Sequence, residues 1–165
     1  MLVTAAAVAP DLDGMGVVWD FLARNSGNPF EFYQRFHHVF GHNVFFALLI
    51  SCLAFLPGVR TALVSGLMFV SFHTHLLGDI IGARGRGDDF WPVPYFWPLS
   101  NAGLVWSGQW PLNGWQNFTI TGVLLGLAFY WAWKRGRSPL EMISQRIDGA
   151  FVAALRSRFG FPLDT

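Results

Sequence analysis

His75 and Asp79 stand four residues apart inside the apolar stretch FHTHLLGDIIG, residues 72–82. On a helix that spacing puts both side chains on one face. Ionisable groups in so apolar a segment are costly, and they are usually held by partners and tied to a function. Two such side chains can bind one metal ion, or the aspartate can orient the imidazole behind it. The bland alternative is a His–Asp hydrogen bond that satisfies both groups. Further donors lie upstream. FHHVFGHN supplies His37, His38 and His42, and APDLDG supplies Asp11 and Asp13. Imidazole and carboxylate suit zinc, and also manganese or iron. Either His37 or His38 can accompany His42, because the spacing does not choose between them. Asp11 and Asp13 can equally make a helix cap or a turn. His73 is two residues from His75 and points to another face of the helix, so it reads as a packed or hydrogen-bonded histidine. Asp88 and Asp89 fall in a glycine-rich loop and read as solvated.

The elements that must position these residues are apolar helices. A bilayer core ~30 Å thick needs ~20 helical residues. Three segments approach that length: about Phe36 to Leu56, about Thr61 to Ile81, and about Trp115 to Trp133. The first two are separated only by Pro57, Gly58, Val59 and Arg60, which predicts an antiparallel hairpin. His37 and His42 at the start of one helix then meet His75 and Asp79 near the end of the other. Residues 83–116 contain four prolines and five glycines, which forbid a long helix. Trp91, Trp97, Trp106, Trp110 and Trp115 in that loop suit the headgroup level of a membrane and form a cap over the polar cluster. Ser138, Pro139 and Glu141 predict a helix start. Leu140, Ile143, Ile147, Phe151 and Leu155 then give that helix an apolar stripe, for a membrane surface or the bundle. The fold class is therefore all-α: an integral membrane helical bundle with about three membrane helices, an aromatic-rich capping loop and a C-terminal amphipathic helix.

Composition agrees. Hydrophobic residues make up 53% and charged residues 13% of the 165-residue chain, whereas a soluble domain carries about 25% charged residues. A net charge of +1 gives no case for nucleic-acid binding. The single cysteine, Cys52, excludes an intrachain disulfide and a cysteine-based zinc site, and reads as buried packing. The opening residues lack the basic start of a signal peptide. Arg60 and the six basic residues from Lys134 to Arg158 are seven of the eleven Lys and Arg. Their side reads as cytoplasmic, and the His/Asp cluster as facing outward.

The order of motifs resembles that of the bacterial membrane-bound, metal-dependent hydrolases, also described as LexA-regulated inner-membrane hydrolases. Their pattern is PD-x-D, then H-R-x-x-T-H-S, then H-x-x-x-D, then a proline-serine element. The chain has Pro10-Asp11-Leu12-Asp13, His37 to Asn43, His75 to Asp79, and Trp97-Pro98-Leu99-Ser100. His38, Gly41 and Asn43 replace the arginine, threonine and serine. The pattern also carries a histidine ahead of PD-x-D, and residues 1–9 contain none. The resemblance implies an inner-membrane hydrolase domain over residues 1–135, with 136–165 as the amphipathic helix. It implies one or two divalent ions, zinc above manganese or iron, on Asp11, Asp13, His37, His42, His75 and Asp79, with His38 and His73 in reserve and Asp13 as a possible base. Water activated by the metal would attack a phosphoester or ester. A site at the bilayer face under an aromatic cap suits an amphiphile such as a phospholipid. Two other readings compete: a haem protein using His42 with His73 or His75, and a non-enzymatic membrane protein with a structural His/Asp metal site.

Overall fold

The computed structural model describes residues 2–24, 31–56 and 61–162. In chain order its helices are α1 (Leu2–Val8), a 3-10 turn (Pro10–Met15), α2 (Gly16–Ala23), α3 (Phe32–Phe36), α4 (Val44–Cys52), α5 (Ala62–Gly82), α6 (Trp115–Arg135) and α7 (Gln145–Phe159). Two isolated bridges, Arg84 with Pro111 and Val93 with Leu104, are the only β pairing among the described residues. Residues 1–112 and 113–165 form two compact units.

α5 organises the first unit. Thr61 caps it by accepting the Val64 N–H at 3.3 Å. Asp79 is the first acidic or basic residue after that cap, so almost all of its 21 residues are free of formal charge. At 1.5 Å per residue it is about 31 Å long, enough to cross a bilayer core. α5 is the one described helix both long and apolar enough to do so; α1 with residues Pro10–Ala23, bent by 53°, makes a second candidate span.

The other two expected spans differ from expectation. There is no continuous helix from Phe36 to Leu56. α3 stops at Phe36, residues 37–43 form an irregular loop, and α4 with its 3-10 extension covers only Val44–Phe55. Twelve residues give about 18 Å, short of a crossing. The break has a local cause. The Asn43 side chain accepts the Phe46 N–H at 2.9 Å and donates to the Val39 and Phe40 carbonyls at 3.0 and 2.8 Å. It starts one helix while closing the loop before it. α6 has the expected start and 21 residues, but Gln116, Asn117, Thr119 and Thr121 lower its hydropathy, and it does not qualify as a span.

α4 and α5 run antiparallel, as expected, although the linking residues 57–60 lie outside the described residues. Ser65 near the start of α5 donates to the Ser51 carbonyl near the end of α4 at 3.0 Å. At the opposite end the rings of Phe46 and Phe72 lie 6.0 Å apart. Small residues let the backbones approach: Ala6, Ala9, Ala47 and Ala54 are buried against Met68, Phe72 and Leu76 of α5. Cys52, expected to be buried, is exposed at the end of α4.

In the second unit, α6 ends at Gly136, whose φ of 73° is the left-handed helix stop. α7 packs back on α6: Trp133 Nε1 donates to the Gly160 carbonyl at 2.6 Å, and Arg156 Nε donates to the Trp133 carbonyl at 3.1 Å. Ser138 caps only a single 3-10 turn, and α7 starts later, at Gln145. Asp148 explains the delay, because its Oδ1 accepts both the Ser138 N–H and hydroxyl, at 2.7 and 2.6 Å. The buried face of α7 therefore carries Asp148 and Val152, while Ile143 and Ile147 of the expected stripe are exposed.

Phe72 is wholly buried where α4 meets α5. Phe72→Ala should cost about 3–5 kcal/mol and lower the thermal midpoint of the detergent-solubilised protein followed by tryptophan fluorescence. An unchanged midpoint would contradict the packing described.

Candidate metal centre

The centre begins with the turn at PDLD. Pro10 opens a 3-10 helix over Pro10–Met15. With about three residues per turn, positions two apart point in well-separated directions. Asp11 and Asp13 therefore do different things. The side chain of Asp13 is 3% exposed and that of Asp11 is 53% exposed.

Asp13 turns inward and accepts three donors. Its Oδ1 lies 2.9 Å from His37 Nδ1, and its Oδ2 takes the Gly41 N–H at 2.9 Å and lies 3.2 Å from His42 Nδ1. Gly41 has no room for a side chain: a Cβ there would come within 2.0 Å of the Pro10 carbonyl oxygen. The PDLD turn and the histidine loop are thus in backbone contact. His38 enters the loop with φ of 69°, a left-handed conformation that a histidine adopts at some cost.

Four donor atoms converge in front of this support. His42 Nε2 lies 3.4 Å from Asp79 Oδ2 and 3.9 Å from Asp11 Oδ1; His75 Nε2 lies 3.3 Å from each of the same two oxygens. The buried atoms His42 Nε2, His75 Nε2 and Asp79 Oδ2 have no hydrogen-bond partner among the described residues. Buried polar atoms rarely remain so, and such groups call for an explanation. A metal ion supplies one. Tetrahedral zinc with ligands at ~2.0–2.1 Å has ligand–ligand edges of roughly 3.3–3.4 Å. Three of the four His–Asp separations match that edge and the fourth is longer; among the described residues Asp11, His42 and His75 make one group of metal-binding type, which does not include Asp79. The donor set, two imidazoles and two carboxylates, suits zinc and also manganese or iron.

The remaining expected ligands have other places. Asp13 and His37 bond to each other behind the cluster. Through His42 Nδ1, Asp13 fixes which nitrogen faces forward. His38 is stacked on His42, ring centroids 4.2 Å apart, with its Nδ1 buried and unpartnered. Together with His42 and Asp79, His38 makes a second group of metal-binding type. His73 is taken up at both nitrogens, by the Phe69 carbonyl and the Tyr95 hydroxyl at 2.8 Å each. Burial opposes charge on His42, but the carboxylates of Asp13 and Asp79 outweigh it and push its pKa up to about 9. Burial and the neighbouring His42 and His37 rings push His38 down to about 3.

Of the five tryptophans expected to cap the cluster, Trp91 is the one seen against its histidines, while Trp106 and Trp115 are exposed. Trp91 meets the rings of His37 and His38 edge-on, at 5.7 and 4.8 Å. Gln109, a residue with no signal in the sequence, anchors the cap. It is 1% exposed, accepts the Trp91 N–H at 3.2 Å and donates to the Asp79 carbonyl at 2.7 Å.

The geometry is unsuited to haem. Asp11 and Asp79 oxygens crowd the nitrogens of His42 and His75, in the space a porphyrin would need between axial ligands. His73 would have to give up one of its two hydrogen bonds.

Fold and centre together describe a helical protein with a polar His/Asp cluster at one end of an apolar helix pair. The family model of the YdjM inner membrane protein matches residues 1–154, and the chain belongs to that family. No curated protein and no solved structure matches it.

Gly41→Ala should push the PDLD turn away and weaken divalent-ion binding by roughly 10–100-fold, as the loss of other outer supports does, while far-UV circular dichroism stays unchanged. Competition against a chromogenic chelator measures it. Unaltered affinity would mean that the contact with Pro10 does not position the donors.

Proposed function

We propose that the chain is a metal-dependent hydrolase of the inner membrane, with one divalent ion held by Asp11, His42, His75 and Asp79. The observation that supports this most directly is the convergence of three buried donor atoms that make no hydrogen bond on one place, with the exposed carboxylate of Asp11 as the fourth. When bound there, such an ion lowers the pKa of water toward ~7 and stabilises negative charge on a phosphoester or ester under attack.

The chain's own residues do the rest. Asp13 holds His42 by Nδ1, so that Nε2 faces the ion, and it ties His37 into the same network. Asp79 is set from behind by Gln109, through its own carbonyl. The half-exposed side chain of Asp11 leaves that side accessible, which suits a catalytic centre better than a closed structural one. In this reading zinc is preferred over manganese or iron, and the chain crosses the membrane more than once, through α5 and the bent α1–α2 pair. A centre at the membrane face suits an ester or phosphoester carried by an amphiphile.

Protein purified in detergent without chelators should contain about one zinc, manganese or iron per chain, by analogy with other sites of this donor type. His75→Ala combined with Asp79→Ala should abolish it. Asp13→Asn should keep the fold and weaken metal binding roughly 10–100-fold. Hydrolysis of bis-p-nitrophenyl phosphate or p-nitrophenyl esters should vanish with chelator and return with the metal. A folded wild-type protein that carries no metal and takes up none would sink the proposal.

A further inference from the structure

Beside the donor cluster, rather than over it, lies a pocket of about 780 Å³. That is within the roughly 300–1,000 Å³ of small-molecule sites. Its inner wall is the histidine loop itself. His37 and His38 line it, and the His38 ring is stacked directly on His42. A ligand in this pocket therefore sits one imidazole ring away from the proposed metal.

The two sides of the pocket differ in chemistry. One side is polar: Tyr33 and Arg35 from α3, then His37 and His38. The Tyr33 ring stacks on His37 with centroids 4.4 Å apart, so this wall is ordered as one block. The other side is aromatic and comes from the cap, chiefly Phe90, Trp91 and Trp97. Trp97 is braced by Phe40, ring to ring at 5.2 Å, and Trp91 by the two histidines. Asp89 is the only carboxylate of the lining among the described residues. It takes the Trp91 indole N–H at 3.4 Å. Among the described residues Arg35 is the only Lys or Arg side chain of the lining. A guanidinium matches phosphate geometry with paired N–H donors, better than an ammonium does.

From this two-sided lining we infer that the pocket binds the phosphate-bearing head of an amphiphile, with the phosphate on Arg35 and the adjoining apolar part against Trp91 and Trp97. The inference rests on the hydrolase reading for what happens to the ligand, and names the substrate class of that centre. Binding itself needs no metal.

The test uses the full chain in neutral detergent, with and without added zinc, and follows tryptophan fluorescence. Dioctanoyl phosphatidate is the probe, and dioctanoylglycerol and inorganic phosphate are the comparisons. Phosphatidate should bind saturably in both metal states, about tenfold or more tighter than the uncharged lipid, the margin expected from a charge-assisted phosphate contact. Trp91→Phe should remove most of the signal. Arg35→Gln should weaken binding about tenfold, and Arg35→Lys, which keeps the charge but not the fork, should fall between. Metal content should be the same in all three variants and the wild type. Equal binding of the two lipids, or an Arg35→Gln variant that binds like the wild type, would overturn the inference. So would inorganic phosphate displacing the lipid at equal concentration, which would mark a free-phosphate site. Phosphatidate binding in a protein that takes up no metal would leave the pocket standing and remove the hydrolase reading alone.

Discussion

The carboxylate of Asp13 accepts from His37, from the Gly41 backbone and from His42, and the rest of the centre depends on it. A buried carboxylate without partners would be very costly. With three donors drawn from a loop 24 to 29 residues away, it becomes the fixed point of the first unit. It closes the PDLD turn onto the histidine loop, and the absent side chain of Gly41 makes the approach possible. It also decides the orientation of His42. A ring bonded at Nδ1 presents Nε2, and that atom is the one that meets Asp11 and Asp79.

The part of this arrangement that was legible in the sequence follows simple periodicity. The four-residue spacing of His75 and Asp79 placed them together, and the length of α5 followed from its run of apolar residues. The antiparallel pairing of α4 with α5 followed from the short connection. The histidine loop was harder. Its apolar residues favoured a continuous span, yet Asn43 is a helix cap, and His38 adopts a left-handed turn that nothing about a histidine announces. That turn is also why spacing could not choose between His37 and His38: His37 turns to Asp13, while His38 lies against His42 and groups with it and Asp79. Asp11 and Asp13 look equivalent in the sequence, but a tight 3-10 turn separates their directions. Gln109 was illegible, since its importance comes from one carbonyl 30 residues away.

Three positions where the sequence differs from the motif pattern it resembles have physical reasons of their own. Asn43 performs the capping that a serine also performs. Gly41 stands where the pattern has threonine because the Pro10 carbonyl occupies the space of a Cβ. His38 stands where the pattern has arginine, and it fills the position with a neutral ring packed between His42 and Trp91 rather than a permanent charge.

The close contact between Gly41 and Pro10 has a consequence for how the protein is made. The four converging atoms come from Asp11, His42, His75 and Asp79, so the ends of the centre, Asp11 and Asp79, lie 68 residues apart in the chain. During synthesis the PDLD turn emerges long before its partners, and contacts of such separation close late. Until α5 has packed beside α1 and α4, the four atoms are scattered along the chain. The cluster is therefore among the last features of the first unit to form, and its assembly reports that the helices around it have packed.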